Sequence, residues 1–207
     1  MGRAYDTAAE GRGRFLNGDM GSYVATKLEE IGPSISVALE IGMDTYFDVV
    51  RGLTDNFAGK KGLMCVYITS SVPSSAMLSA LKMLEVGTKD IHFIDCISHL
   101  VSRDIAPSEN TIYIDNPTML ENIILKVDFL SRKMKGKTML VVLDSINSLA
   151  IHNDVKMLSE FLQVLLSGLK SKGAYPVIIS VAGQAKPELK EVMTLVCDQI
   201  VPVQLTP

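Results

Sequence analysis

Thr138-Met139-Leu140-Val141-Val142-Leu143-Asp144, followed at once by Ser145-Ile146-Asn147-Ser148, is the stretch on which the fold of this chain turns. Five apolar side chains in a row leave no polar face. A strand of this kind is buried on both sides, as in parallel sheets covered by helices. The acid that ends it then lies at the carboxyl edge of the sheet, where ligands of open α/β folds bind.

The same pattern continues outward in both directions. Upstream, Asn116-Pro117 reads as a cap followed by a first-turn proline. The helix it opens carries Leu120, Ile123, Ile124, Val127 and Leu130 inside and stops near Gly136. Residues 35–41, 63–69, 91–95 and 111–115 read as earlier strands. Between them run a helix with Tyr46, Val49, Val50, Leu53 and Phe57 on one face, and a second with Met77, Leu78, Leu81 and Leu84, which Gly87 stops. Downstream, a helix over 155–170 buries Leu158, Phe161, Leu162, Leu165 and Leu169 and ends at Gly173. Strand 176–181, a short helix 187–195 and strand 199–203 follow. Strands alternating with helices imply a three-layer α/β/α sandwich on a mainly parallel sheet.

The chain has 207 residues, 22.5 kDa and a mean hydropathy of +0.26, enough for one domain that needs no disulfide or metal to hold its core. Lys plus Arg is 20 and Asp plus Glu is 23, for a net charge of −3, which is not the basic balance of a dedicated nucleic-acid binder. No apolar run approaches the roughly 18 residues of a membrane span. No charged-then-apolar leader opens the sequence, so a cytoplasmic location is expected. Cys65, Cys96 and Cys197 sit in apolar stretches without CxxC spacing and read as small buried hydrophobes in a reducing compartment. With His92, His99 and His152 they make no paired spacing for zinc. Residues 1–21 are rich in glycine and arginine and poor in large apolar groups, and no fold of their own is expected for them. Ser22 reads as the cap of a short helix ending at Gly32-Pro33. The expected division is therefore an arm with a short helix over 1–33 and one domain over 34–207.

The strand ending in Asp144 has the form of a Walker B strand, whose acid holds the water shell of a nucleotide-bound Mg²⁺. The plainer reading is an acid that caps the next turn. The phosphate loop decides between them. Such a loop needs glycines, a lysine and a Ser or Thr, and no GxxxxGK[ST] occurs here. After the first strand stands Gly42-Met43-Asp44-Thr45-Tyr46-Phe47-Asp48, with one glycine, no lysine, two acids, and Glu40 just before. Each pair of like charges at 4 Å repels by about 1 kcal/mol in water and about 4 near a protein surface. This turn therefore opposes polyanions. Lys60 and Lys61 precede the second strand and belong to the opposite edge of the sheet. Ser70-Ser71 ends the second strand without the carboxylate that a hydrolase needs there to activate water. If a nucleotide binds at all, Gly42, Asp44, Thr45, Asp144 and Ser145 are the residues to hold it, with Asp144 as the Mg²⁺ ligand.

Residues 65–75, the run Ile91-His92-Phe93-Ile94-Asp95-Cys96-Ile97-Ser98, and the segment 139–149 with its DSINSL end together resemble the KaiC-like branch of the RecA superfamily, a P-loop NTPase fold. More narrowly they are similar to its archaeal members that have lost the Walker A motif. The resemblance spans residues 34–203. It implies a RecA-like sheet and, in members with full motifs, ATP bound and hydrolysed between subunits. The departures at 42–48 and at Ser70-Ser71, where the family usually places paired glutamates, imply lost catalysis. Only Asp144 and, more weakly, Ser145 carry over. The expected function is a non-catalytic RecA/KaiC-like domain that regulates or scaffolds through protein contacts or self-association, with no cofactor. The alternatives are an ATP-binding protein or slow ATPase using Asp144 for Mg²⁺, and a DNA-associated accessory protein using Arg132, Lys133, Lys135, Lys137 and the N-terminal arginines. Asp95, Asp115 and Asp144 all end strands, and ordinary turn chemistry accounts for them better than a metal cluster.

Overall fold

A computed structural model of the chain describes residues 20–102 and 104–203. Seven strands form one sheet: β1 (Val37–Ile41), β2 (Met64–Thr69), β3 (Ile91–Asp95), β4 (Thr111–Tyr113), β5 (Met139–Asp144), β6 (Tyr175–Val181) and β7 (Gln199–Val203). Their order is β4-β3-β2-β5-β6-β1-β7, and every pairing is parallel. Helices cover both faces, so the three-layer sandwich expected from the apolar strands is the fold observed. All six residues of β2 and all six of β5 are buried.

Alternation along each strand splits the core in two. Leu140 and Val142 of β5, with Cys65 and Tyr67 of β2 and Leu39 of β1, face one layer. That layer contains α1 (Met20–Ile31), α2 (Tyr46–Arg51), which widens into a π-helical stretch over Gly52–Gly59, and α3 (Ser74–Met83). Val141 and Leu143, with Val66, Ile68 and Ile178, face the other. That layer holds α5 (Leu120–Lys133), α6 (Ile146–His152), α7 (Val155–Ser171) and α8 (Pro187–Val196). The short α4 (Ser98–Val101) follows β3.

The structure corrects several expected boundaries. The first helix already includes Met20 and Gly21, both buried, so Ser22 is not its cap. Its approach to the π-helical stretch of the same layer needs glycine on both sides: a Cβ on Gly52 would meet the Gly21 backbone at 2.7 Å. Gly32 ends α1 with φ of +81° and Gly173 follows α7 with φ of +69°, the left-handed conformation that favours glycine. The stop after α3 is instead Glu85, with φ of +59°, and not Gly87. Asn116-Pro117 is a turn rather than a helix start: Asn116 Oδ1 accepts from Thr118 N at 3.0 Å, and α5 begins at Leu120. Here the local hydrogen bond of Asn116 won over helix capping. The three cysteines are buried, as expected, and burial pushes each thiol up to about 12.

Asp95 shows how a buried acid can be structural. It accepts from Ser74 N at 2.7 Å, Ile97 N at 3.0 Å, Ser98 N at 2.8 Å and Ser98 Oγ at 2.7 Å, tying the starts of α3 and α4 to the end of β3. Burial pushes its carboxyl up, but hydrogen bonds from Ser74 and Ser98 more than offset this and leave it below the ordinary 3.8. A depressed carboxyl contributes stability above its unfolded value, and loses it as pH falls through the folded value. Asp95→Ala is therefore expected to cost about 3 kcal/mol at pH 7, the sum of two helix caps and a charged network. Urea unfolding at pH 7 and pH 3 checks this, and the gap from wild type narrows at the lower pH.

Candidate functional site

Parallel pairing brings β1 and β5 to either side of β6, with Asp144 in register with Ile179 and Ile41 with Val181. The turn after β1 and the acid ending β5 therefore face each other across the carboxyl edge. A cavity of about 510 Å³ lies there, with Met43, Tyr46, Phe47, Ser71, Asp144 and Ser145 among its lining residues.

Asp144 falls on the same face as Leu140 and Val142, so its side chain enters the layer of α2. It is fully buried. Tyr67 donates its hydroxyl to Asp144 Oδ2 at 2.6 Å, Tyr46 donates to the same oxygen, and Ser71 Oγ donates to Oδ1 at 3.4 Å. Among the described residues no cation pairs with this carboxylate. Burial pushes the Asp144 carboxyl up, and the three hydroxyls only partly counter it. The same burial, with the Asp144 charge beside them, pushes both tyrosines well above their ordinary range, so they stay protonated donors.

Tyr46 arrives at Asp144 because the turn before it is short. Four residues, 42–45, separate the end of β1 from the first residue of α2. Three of them, Met43–Thr45, form a 3₁₀ turn. A GxxxxGK[ST] loop wraps phosphate with eight. Thr45 N and Thr45 Oγ1 both donate to Gly42 O, at 3.3 and 3.1 Å, and Thr45 is buried. The Asp44 carboxylate folds back over the turn: a Cβ on Gly42 would lie 2.2 Å from Asp44 Oδ1. An acid covers the place where a phosphate would have to approach backbone.

Of the five candidate residues, Asp144 and Ser145 line the cavity. Gly42, Asp44 and Thr45 do not, and their neighbours Met43, Tyr46 and Phe47 do. Ser145 caps α6, accepting from Ser148 N at 3.3 Å, and Ser70 Oγ donates to Ser145 O at 3.0 Å. Asp95 is spent on helix starts and Asp115 is exposed beside His99, so the three strand-end acids do not converge. No group of three or more metal-ligating side chains occurs among the described residues. Of the basic cluster, Arg132 pairs with Asp128, and Lys137 with Asp90 at 3.1 Å. The cluster lies before β5, away from the cavity. Lys61 pairs with Glu29 at 3.3 Å. The N-terminal arginines lie outside the described residues.

Tyr46 and Tyr67 are the two residues that sequence reasoning passed over. Each reads as one more apolar position in its element. The available signal was the hydroxyl, since a buried tyrosine needs a hydrogen-bond partner.

No family model matches this chain, and no curated protein matches its sequence. Among solved structures it is similar to a KaiC-like protein of the hyperthermophilic archaeon Pyrococcus horikoshii. The two are 14% identical with a TM-score of 0.61, over 84% of this chain and 73% of that one. Likeness at this identity establishes the fold alone, which is RecA/KaiC-like. No helix among the described residues is long and apolar enough to cross a membrane.

An acid whose folded value is raised contributes stability fully below its unfolded value and loses it as pH rises through the folded one. Ionised Asp144 therefore works against the fold at neutral pH. Asp144→Asn, which keeps an acceptor for both tyrosines, is expected to raise the melting temperature at pH 7 and to match wild type near pH 3.5. Tyr46→Phe is expected to cost about 1–3 kcal/mol by leaving the carboxylate short of a donor. Calorimetric melts at the two pH values measure both.

Proposed function

We propose that this chain is a RecA/KaiC-like domain without nucleotide turnover, working in the cytoplasm as a regulatory or scaffolding subunit through protein–protein contacts. The observation that carries the reading is the Tyr46 hydroxyl on Asp144 Oδ2, delivered by a turn too short to enclose phosphate. In a nucleotide site that face of the acid would belong to Mg²⁺ and its waters. Here a neutral phenol occupies it, and among the described residues that line the cavity there is no lysine to meet a phosphate. Ser70 and Ser71 offer no base for water. Ser70 is instead bonded to Asp144 O and Ser145 O, so the strand ends brace one another. A fold that keeps its architecture while its chemistry is closed off is suited to presenting surfaces.

One feature favours a second reading, an ATP-binding protein with Mg²⁺ on Asp144: the cavity beside Asp144 and Ser145 is open and of useful size. It would require Tyr46 to release Oδ2 and a cation to arrive from another subunit.

Isothermal titration with Mg·ATP separates the two. The expected outcome is no saturable heat up to about 1 mM nucleotide. Binding tighter than about 100 μM that disappears in Asp144→Ala would overturn the proposal.

A further inference from the structure

On the reading that no nucleotide fills the cavity at the carboxyl edge, we propose that it receives an organic cation: a primary ammonium on an apolar stem, paired with Asp144 Oδ1. The cavity has about 510 Å³, the size of a site for a small ligand or one long side chain.

The buried charge says what enters. Asp144 lines the cavity and is fully buried. Its Oδ2 receives both tyrosine hydroxyls. Its Oδ1 has only Ser71 Oγ at 3.4 Å, beyond the roughly 2.5–3.0 Å of an ordinary O–H···O bond. An ionised carboxylate offers about four acceptor positions, so Oδ1 keeps capacity to accept. Asp144 is also the one charged residue among those that line the cavity, with no Lys, Arg or His beside it. A buried carboxylate without a countercharge is costly, and burial pushes this one up with only hydroxyls to counter it. A cation on Oδ1 supplies the missing charge. Asp44 and Asp48, both exposed, flank the lining residues Met43 and Phe47 in the chain, so the approach is acidic as well.

The geometry selects the kind of cation. With Oδ2 taken by two phenols, the paired bonds of a guanidinium fork have no place, and a single point charge fits. A divalent metal would need several oxygens, and no group of three or more metal-ligating side chains occurs among the described residues. The other polar groups of the lining are largely committed. Asn147 Oδ1 accepts from Val181 N at 2.8 Å, Ser145 Oγ accepts from Ser148 N at 3.3 Å, and Ser148 Oγ donates to Ser70 O. Met43, Phe47, Val72 and Ile151 supply apolar wall, which an apolar stem behind the ammonium would cover.

Isothermal titration of the full chain with 2-phenylethylammonium, at pH 8 where a primary amine stays charged, tests the proposal. The expected result is one saturable site with a Kd of about 10–500 μM. 2-Phenylethanol and 2-phenylethylguanidinium, each with the same stem, should bind about tenfold more weakly or worse. Asp144→Asn, which keeps an acceptor for both tyrosines, should weaken the amine about thirtyfold or more. Ile151→Lys tethers an ammonium at the mouth and should weaken it about fivefold. Ile151 is 78% exposed, so that variant should melt near wild type. Nα-acetyl-lysine methylamide offers the same ammonium on a lysine side chain. If it binds more tightly than 2-phenylethylammonium the natural ligand is a lysine of a protein partner, and if less tightly a free amine; both outcomes uphold the pairing with Oδ1. No saturable heat up to about 10 mM of either ammonium compound overturns the proposal. So does amine binding that Asp144→Asn leaves unchanged, and so does an alcohol or a guanidinium that binds as tightly as the amine. Saturable heat with Mg·ATP would overturn the nucleotide-free reading instead, so the two fail on different titrations.

Discussion

One oxygen of a buried carboxylate receives two tyrosine hydroxyls, and the carboxyl edge of this protein is arranged around that contact. Asp144 ends a strand with both faces covered, where an ionised group without partners would cost several kcal/mol. Tyr67 reaches it from β2 and Tyr46 from the start of α2. The hydroxyls satisfy the acid without neutralising it. They also link three elements distant in sequence, so the local geometry of the edge depends on this hub.

The contact exists because the connection after β1 is short. A longer loop would carry the start of α2 outward and leave room above Asp144. Four residues instead bring the helix almost directly off the strand, and its first side chain falls onto the acid. The same turn sets Asp44 over Gly42, so charge and sterics act together. At the carboxyl ends of β1 and β5 the Thr45 hydroxyl and the Asp144 carboxylate are turned to internal bonding. Ser70, Ser145 and Ser148 follow the same logic: Ser148 donates to Ser70 O, and Ser70 to Ser145 O, fastening β2 to the start of α6.

This shifts attention from the edge to the surfaces. The layer of α5 and α7 keeps Leu125, Phe129 and Val164 in solvent, while its buried side is already complete. A domain whose cleft chemistry is occupied by its own side chains still presents helices of defined spacing and charge.

Much of this was legible from residue order. Apolar runs identified β2, β3, β5 and β6 within a residue or so, because burial on both faces leaves a nearly unbroken hydrophobic string; the edge strand β7 is mostly exposed. Asp144 stood out as the acid ending such a string, and the missing lysine and glycines of the 42–48 segment could be read directly. Other features needed the folded chain. The partners of the Tyr46 and Tyr67 hydroxyls lie 98 and 77 positions away, and no local pattern encodes that distance. Gly21 proved necessary only once it met Gly52, and the start of α5 moved because Asn116 bonded its own turn. The sequence alone determined that the central strands are buried on both faces and that the 42–48 segment carries two acids and no lysine, since both follow from side-chain polarity position by position. Only the tertiary structure decided what stands against Asp144, because a hydrogen bond between distant residues is chosen by strand order and helix placement rather than by neighbours in the chain.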